Sequence, residues 1–143
     1  MSRSFFDTNV LLYMYDDNEP RKKELALGTF ERAIEANLAV LSTQVLQEFY
    51  VNATRKLATP LAPERAAARV RDFARLPLVR VDEAMILAAI ERGRSMSFSF
   101  WDALILEAAL EGGVDRLLTE DLQHGQEIEG LRVENPFLEA EEG

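Results

Sequence analysis

Short apolar runs alternate with longer amphipathic stretches along almost the whole chain, and this alternation limits the possible folds more than any other feature. The short runs are typical of strands, whereas the stretches between them repeat apolar residues at the spacing of a helix. Strands that alternate with helices form βαβ units, because two parallel strands can be joined only by a long crossover. The sequence therefore predicts an α/β fold of three layers, α/β/α, with a short-stranded parallel sheet.

The ends of these elements follow from apolar spacing and from proline, glycine and hydroxyl residues beside the helices. Strands are predicted at residues 4–6, 38–41, 78–81, 116–118 and 131–133. Helices are predicted at residues 8–15, 20–36, 43–57, 63–76, 82–93 and 101–111, with a short one near Leu122. The 143 residues contain no repeat or linker, so we expect one domain over residues 1–143 with a frayed tail from about residue 138.

Composition excludes several kinds of site. The chain has no cysteine, which rules out a disulfide, a thiolate zinc site and a cysteine nucleophile. His124 is the only histidine, so no serine or threonine triad is available, and we expect it in a loop or a short helix. No apolar run approaches the roughly 20 residues that span a bilayer. The apolar run near the start is too short for a signal peptide, and an acidic residue follows it at position 7. We therefore expect a cytoplasmic protein without membrane contact.

Charge is distributed unevenly along the chain. The net charge is −9, yet residues 1–76 carry 11 Lys and Arg against 10 Asp and Glu, and residues 77–143 carry 5 against 15. Such an acidic chain does not favour a simple phosphate-binding surface. The basic clusters of the first half either face an anionic partner or are solvated helix faces. They comprise Arg21, Lys22, Lys23, Arg55, Lys56, Arg65, Arg69, Arg71 and Arg75.

Asp102 lies on the apolar side of its predicted helix, almost opposite Glu107 and Glu111 at about 100° per residue. Burial of a carboxylate in that position destabilises the folded protein by several kcal/mol unless another group pairs with the carboxylate or it coordinates a metal. A capping role is the alternative, because Ser99 and Asp102 have the spacing of a capping box and the helix dipole favours an acid in the first turn. Asp102 by itself leaves both interpretations open.

Other acids follow predicted strands or border an apolar helix face. Asp7 follows the first strand, Glu120 and Asp121 follow the fourth, and Glu48 borders the apolar arc of the helix after the second. Ligands of open α/β sheets bind beyond the carboxyl ends of the strands. We therefore expect Asp7, Glu48, Asp102 and Asp121 to converge at one rim, although any one of them alone could be a cap or a surface residue.

Converging carboxylates favour a hard divalent cation. Neighbouring carboxyl groups resist ionisation because their negative charges repel each other. A bound Mg²⁺ or Mn²⁺, which prefers oxygen ligands, neutralises that repulsion. Such an ion acidifies a bound water and holds a phosphate for in-line attack, and it offsets the repulsion between an acidic protein and an anionic substrate. Thr8, Asn9 and Thr119 are expected to cap helices and orient the neighbouring acids rather than to react.

Four segments, in order and over nearly the whole chain, resemble the motifs of the PIN domain. The opening Asp-Thr-Asn is a weak signal by itself, whereas the ordered set is specific. The resemblance is closest to the stand-alone VapC-type toxins of toxin–antitoxin modules. The segments are residues 5–13 (FFDTNVLLY), 42–49 (STQVLQEF), 99–105 (SFWDALI) and 117–126 (LLTEDLQHGQ).

This resemblance implies an endoribonuclease dependent on Mg²⁺ or Mn²⁺ that leaves a 5′-phosphate and a 3′-hydroxyl. It implies that Asp7, Glu48, Asp102 and Asp121 are the metal ligands and catalytic acids, and Thr119 matches the hydroxyl residue beside the fourth acid. It also implies a homodimer bound by a cognate antitoxin. All four acids are present. The alternatives within the family are an RNA-processing nuclease without a toxin role and a non-catalytic PIN-like interaction module.

Two other classes also place acids at the strand ends of an α/β sheet. A phosphoacceptor signalling domain needs a lysine after its last strand, but the only lysines are Lys22, Lys23 and Lys56. A phosphatase with an aspartate nucleophile needs a second aspartate two residues after the first, and Asn9 occupies that position. Both classes are therefore disfavoured. The sequence reveals neither the RNA target nor the antitoxin.

Overall fold

The structure, a computed structural model, describes residues 2–138, and the predicted frayed tail at residues 139–143 lies outside them. Within the described range the predicted alternation of strands and helices is present. The elements are β1 (Ser4–Phe6), α1 (Thr8–Tyr13), α2 (Pro20–Glu35), β2 (Ala39–Ser42), α3 (Thr43–Arg55), α4 (Pro63–Phe73), β3 (Leu78–Val79), α5 (Glu83–Ser95), α6 (Phe100–Glu111), β4 (Arg116–Leu118), β5 (Glu127–Ile128) and β6 (Leu131–Glu134).

The strands form one sheet in the order β3-β2-β1-β4-β6-β5. All neighbouring strands are parallel except β5 and β6, which are antiparallel. Because crossovers between parallel strands are right-handed, α1 to α4 cover one face on the way from β1 to β3. α5 and α6 then cover the other face as the chain returns to β4, and α6 contacts β2, β3 and β4. The three-layer α/β/α prediction is confirmed.

The chain reverses direction across the sheet between β1 and β4. From β1 it proceeds to β2, and from β4 it proceeds to β6 on the opposite side. In open α/β sheets the crevice at such a switch point is where ligands bind, beyond the carboxyl ends of the strands. Asp7 and Thr119 are the first residues after these two strands, and the Asp7 amide donates to the Leu118 carbonyl at 3.0 Å.

The central strands are rigidly held because they are buried on both faces. Phe5, Phe6 and Leu117 have no exposed side-chain surface, and Leu118 is 1% exposed. Edge-to-face ring contacts continue this core into the helices, with Phe6 and Phe30 centroids 5.1 Å apart. The residues that follow β1 and β4 therefore emerge from the least deformable part of the molecule.

Two details of the predicted elements were wrong. Residues 120–126 form turns instead of a short helix near Leu122, because a single apolar residue provides no amphipathic face and Gly125 adopts a φ of +86°. The sequence also missed β5, which pairs with β6 through a tight turn at Glu129 and Gly130. Among residues 2–138, no helix is both long enough and apolar enough to cross a membrane.

Candidate active site

A cavity of about 210 Å³ opens beyond the carboxyl ends of β1 and β4. The four predicted acids all line it, although they come from different elements: Asp7 follows β1, Glu48 lies on α3, Asp102 lies on α6, and Asp121 follows β4. The structure thus brings together side chains that are up to 114 positions apart in the sequence.

Asp7 is the most deeply placed of the acids, with 6% of its surface exposed. Its side chain caps α1 by accepting the Thr8 amide at 2.7 Å, and it also accepts the Thr119 hydroxyl at 2.8 Å. Burial raises the pKa of Asp7 to about 7, the charges of Asp121 and Glu48 add to the rise, and the two hydrogen bonds oppose it. The carboxylate is therefore held in place in a site that disfavours its charge.

Glu48 is oriented by one predicted partner and one unpredicted partner. The Thr8 hydroxyl donates to its Oε1 at 2.7 Å, and the Gln44 amide donates to its Oε2 at 3.2 Å. Gln44 also donates to the Trp101 carbonyl at 3.3 Å, so it ties α3 to the start of α6. The sequence analysis missed Gln44, although its position one helical turn before Glu48 was an available signal.

The capping group at the start of α6 is Ser99 and not the Asp102 carboxylate. The Asp102 amide donates to the Ser99 hydroxyl at 3.1 Å, so Ser99 caps α6 as the capping-box pattern predicts. The half-buried Asp102 carboxylate nevertheless lines the acidic cavity. Desolvation raises its pKa, the charges of Asp121 and Glu48 add to the rise, and a hydrogen bond with Ser99 opposes it. An acid that only stabilised a helix N-terminus would have a lowered pKa.

Asn9 connects the fourth acid to the first. Its side-chain amide donates to Asp121 at 2.9 Å and to the Thr119 hydroxyl at 3.2 Å. The Asp121 amide in turn donates to the Thr119 hydroxyl at 3.1 Å, although the Asp121 side chain is exposed. Thr8, Asn9 and Thr119 thus each donate a hydrogen bond to one of the acids, whereas the expected capping role at the start of α1 belongs to Asp7.

Glu120 points away from the cavity although it is adjacent to Asp121. It accepts the Tyr13 hydroxyl at 2.6 Å and pairs with Lys22 at 3.1 Å. Burial, followed by the hydrogen bond to Glu120, raises the pKa of Tyr13 to about 12. This cluster holds the loop after β4 against the first helices. His124 lies in the same loop, which is one of its two expected positions, and accepts the Asn135 amide at 3.0 Å.

The four acids fit a hard divalent cation by their chemistry. They supply only carboxylate oxygens, which Mg²⁺ and Mn²⁺ prefer, and their mutual repulsion contributes to the raised pKa values of Asp7 and Asp102. Within residues 2–138, no three acidic or histidine side chains are positioned to hold one ion without rearrangement. Protein donors occupy the oxygens of Asp7 and Glu48 instead.

Comparison with known proteins identifies the fold. A family model described as PIN domain matches residues 4–126, whereas comparison with curated protein sequences found no match. A toxin–antitoxin complex from Klebsiella pneumoniae is similar in structure, with a TM-score of 0.63 and 19% identity over 93% of this chain and 97% of that chain.

Two further solved structures have the same fold. DNA-bound VapBC from Salmonella typhimurium has a TM-score of 0.63 and 23% identity over 95% of this chain and 99% of that chain. VapC20 from Mycobacterium tuberculosis, a sarcin–ricin loop cleaving toxin, has a TM-score of 0.57 and 19% identity over 80% of this chain and 86% of that chain. Because the family model extends from β1 to beyond the fourth acid, this chain belongs to the PIN domain family.

Proposed function

We propose that this protein is an endoribonuclease that depends on Mg²⁺ or Mn²⁺, with Asp7, Glu48, Asp102 and Asp121 as metal ligands and catalytic acids. The observation that carries the proposal is the convergence of these four carboxylates in one cavity at the switch point of the sheet. Membership of the PIN domain family supports it, as does the likeness to a toxin that cleaves the sarcin–ricin loop.

Three of these acids are positioned by neighbouring side chains or by their helix. When bound, Mg²⁺ or Mn²⁺ supplies an acidified water and positive charge for the phosphate. Thr8 and Thr119 hold Asp7 at the end of β1, and Thr8 and Gln44 hold Glu48 on α3. Asp102 faces the same space from the opposite helical layer. Because the oxygens of Asp7 and Glu48 now accept hydrogen bonds from Thr8, Gln44 and Thr119, binding of the ion requires these carboxylates to exchange protein donors for metal.

The reaction is hydrolysis of an RNA phosphodiester. Water attacks the phosphorus, the bond to the 3′-oxygen breaks, and the 3′-oxygen takes up a proton. The products are a 5′-phosphate and a 3′-hydroxyl. The sequence offers no cysteine and only one histidine as other catalytic groups.

Purified protein should cleave a structured RNA in the presence of Mg²⁺ or Mn²⁺ and be inactive in EDTA. The assay is electrophoresis of labelled RNA, with end-group analysis of the fragments. Glu120→Gln is the matched control, because it removes a charge adjacent to Asp121 from a side chain that faces Tyr13 and Lys22; this variant should keep the wild-type metal dependence. Absence of cleavage with either ion would favour the non-catalytic interaction module.

We further propose that the protein is the toxin of a type II toxin–antitoxin pair, and the likeness to solved toxin–antitoxin complexes supports this. The acidic cavity would accept an Arg or Lys of the antitoxin, since charge-assisted hydrogen bonds to carboxylates are strong. The homodimer implied by the family stays a prediction, as does action on RNA without a toxin role.

Expression of the protein alone should arrest growth, and co-expression with a short protein encoded beside it should relieve the arrest and yield a stable complex. Asp7→Asn expressed to the same level is the control and should be harmless, because it lacks a proposed ligand charge. Growth is measured by optical density and the complex by co-purification. A wild-type chain that is harmless at high level would contradict the toxin role while leaving the nuclease activity open to the assay above.

A further inference from the structure

A second groove, of about 370 Å³, adjoins the acidic cavity. Gln44, Glu48, Asn52 and Trp101 line both spaces, so the groove is continuous with the cavity. Amide, carboxylate and lysine side chains line it together with Val51 and Trp101, and most of its lining surface is apolar. A strand of nucleic acid that placed a phosphate at the four acids would therefore extend its neighbouring nucleotide into this groove.

Trp101 is a large apolar residue in this groove that is 61% exposed. It directly precedes Asp102, and its backbone is held by the Gln44 amide, which also donates to Glu48. The Phe100 ring meets the indole edge to face, with centroids 5.0 Å apart. An aromatic ring is thus displayed to solvent next to two of the four acids by a backbone that is tied to them.

Lys56 provides a cation along the same path. Lys56 lies at the C-terminal end of α3. It lines the second groove, and it also lines a third groove beside Asn9, Tyr13 and Glu120. Among the described residues Lys56 forms no ion pair. An exposed lysine between two openings next to an acidic centre can contact an anionic backbone without first breaking a bond to the protein.

We propose that Trp101 stacks on a nucleobase beside the scissile phosphate and that Lys56 contacts the RNA backbone; this inference rests on the proposed ribonuclease function. Stacking needs a base that is free of its neighbours, so the substrate is a single-stranded or looped segment and not a continuous duplex. In a protein of net charge −9, stacking also supplies attraction that does not depend on charge. The groove combines apolar surface, on which a base can stack, with the Lys56 ammonium, which can contact a phosphate, and this combination fits a nucleotide.

Trp101 is the only tryptophan, so its fluorescence reports on the groove directly. The probe is a short RNA that contains the site cleaved by the wild type, titrated in EDTA to prevent turnover. We expect saturable quenching. Trp101→Ala should raise the KM for cleavage in Mn²⁺ about tenfold with little change in kcat, which is about 1.4 kcal/mol of binding. Tyr50→Ala, which alters an exposed aromatic residue outside this groove, is the matched control and should keep the wild-type KM.

An abasic scan of the same RNA separates stacking from a general effect on the site. Removal of the stacked base should weaken wild-type binding about tenfold. It should not weaken the binding of Trp101→Ala further, because the two changes remove the same contact. Since this variant has no tryptophan, both proteins are compared by the fluorescence anisotropy of dye-labelled RNA in EDTA. Lys56→Gln should weaken binding and lower the slope of log affinity against log salt by about one.

The outcomes distinguish this inference from the proposed function. If the wild type cleaves no RNA, both fail. If it cleaves RNA but Trp101→Ala keeps the wild-type KM and the fluorescence does not respond to saturating RNA, only the stacking inference fails. A fluorescence response to the antitoxin but not to RNA would place Trp101 in a protein interface and overturn the inference as well.

Discussion

Asp7→Asn and Asp102→Asn should each lower the rate of RNA cleavage in Mg²⁺ or Mn²⁺ by more than about 100-fold. Removing an orienting partner of a metal ligand already costs about 10- to 100-fold in comparable sites, and these changes remove a ligand charge itself. An asparagine keeps the size of the side chain and one oxygen acceptor. The Asp7→Asn side chain can therefore still cap α1, and the Asp102→Asn change leaves the Ser99 cap of α6 intact.

The rates are measured on labelled RNA at saturating metal, with circular dichroism and thermal unfolding to establish that each variant is folded. Asp82→Asn is the matched control, because Asp82 also caps a helix, accepting the Met85 amide at 3.0 Å, but lies at the start of α5 outside the acidic cavity. It should cleave at the wild-type rate. If folded Asp7→Asn and Asp102→Asn both keep wild-type rates, the catalytic site lies elsewhere in the molecule.

The metal-free protein should lose stability as the pH rises from about 4 to about 7. The pKa of Asp7 is about 7 in the folded state against an ordinary value of 3.8. Between these values the folded state holds a proton that the unfolded state has released. The stabilisation is therefore fully present below the unfolded pKa and is lost as the pH rises through the folded pKa. The full effect is of order 4 kcal/mol at most, at about 1.4 kcal/mol per pKa unit. Asp102, whose pKa is also raised, contributes with the same sign.

Asp7→Asn isolates this contribution because its side chain is neutral at every pH. In EDTA the variant should be more stable than the wild type by an amount that grows with pH, from at most about 2 kcal/mol near pH 5 to a few kcal/mol at pH 8, and Asp102→Asn should show the same trend. Mn²⁺ at a hundredfold excess over its dissociation constant should stabilise the wild type by about 2.7 kcal/mol and the variants much less. The measurement is thermal unfolding with EDTA or Mn²⁺ between pH 5 and 8.

Asp82→Asn is again the control, and its response to Mn²⁺ should equal that of the wild type. Acids that only capped helices would show the opposite behaviour, with lowered pKa values and stability lost as the pH falls. If Asp102→Asn destabilises the metal-free protein and Mn²⁺ changes the melting temperature of neither the wild type nor the variant, Asp102 only stabilises its helix and the proposal of a metal site is wrong.

Much of the local structure could be predicted from the sequence, because it depends on residues that are close along the chain. Phe5 and Phe6 make a strand that is buried on both faces, Pro20 and Pro63 start helices, and Ser99 caps one. Apolar spacing reflects the geometry of helix and strand, so it identifies an element before any tertiary contact exists. The one element predicted from a single apolar residue, the helix near Leu122, was wrong.

The candidate acids were predictable for the same reason, since each stands at the end of a strand or on the inner side of a helix. The sequence determined by itself that Asp7, Glu48, Asp102 and Asp121 were available at such positions. Only the tertiary structure decided that β1 and β4 are neighbours, that Glu120 turns toward Tyr13 while Asp121 lines the cavity, and that Gln44 joins Glu48 to Trp101. Those contacts depend on which strands pair: the hydrogen bond from Thr119 to Asp7 joins residues 112 positions apart, and no local pattern specifies a partner at that distance.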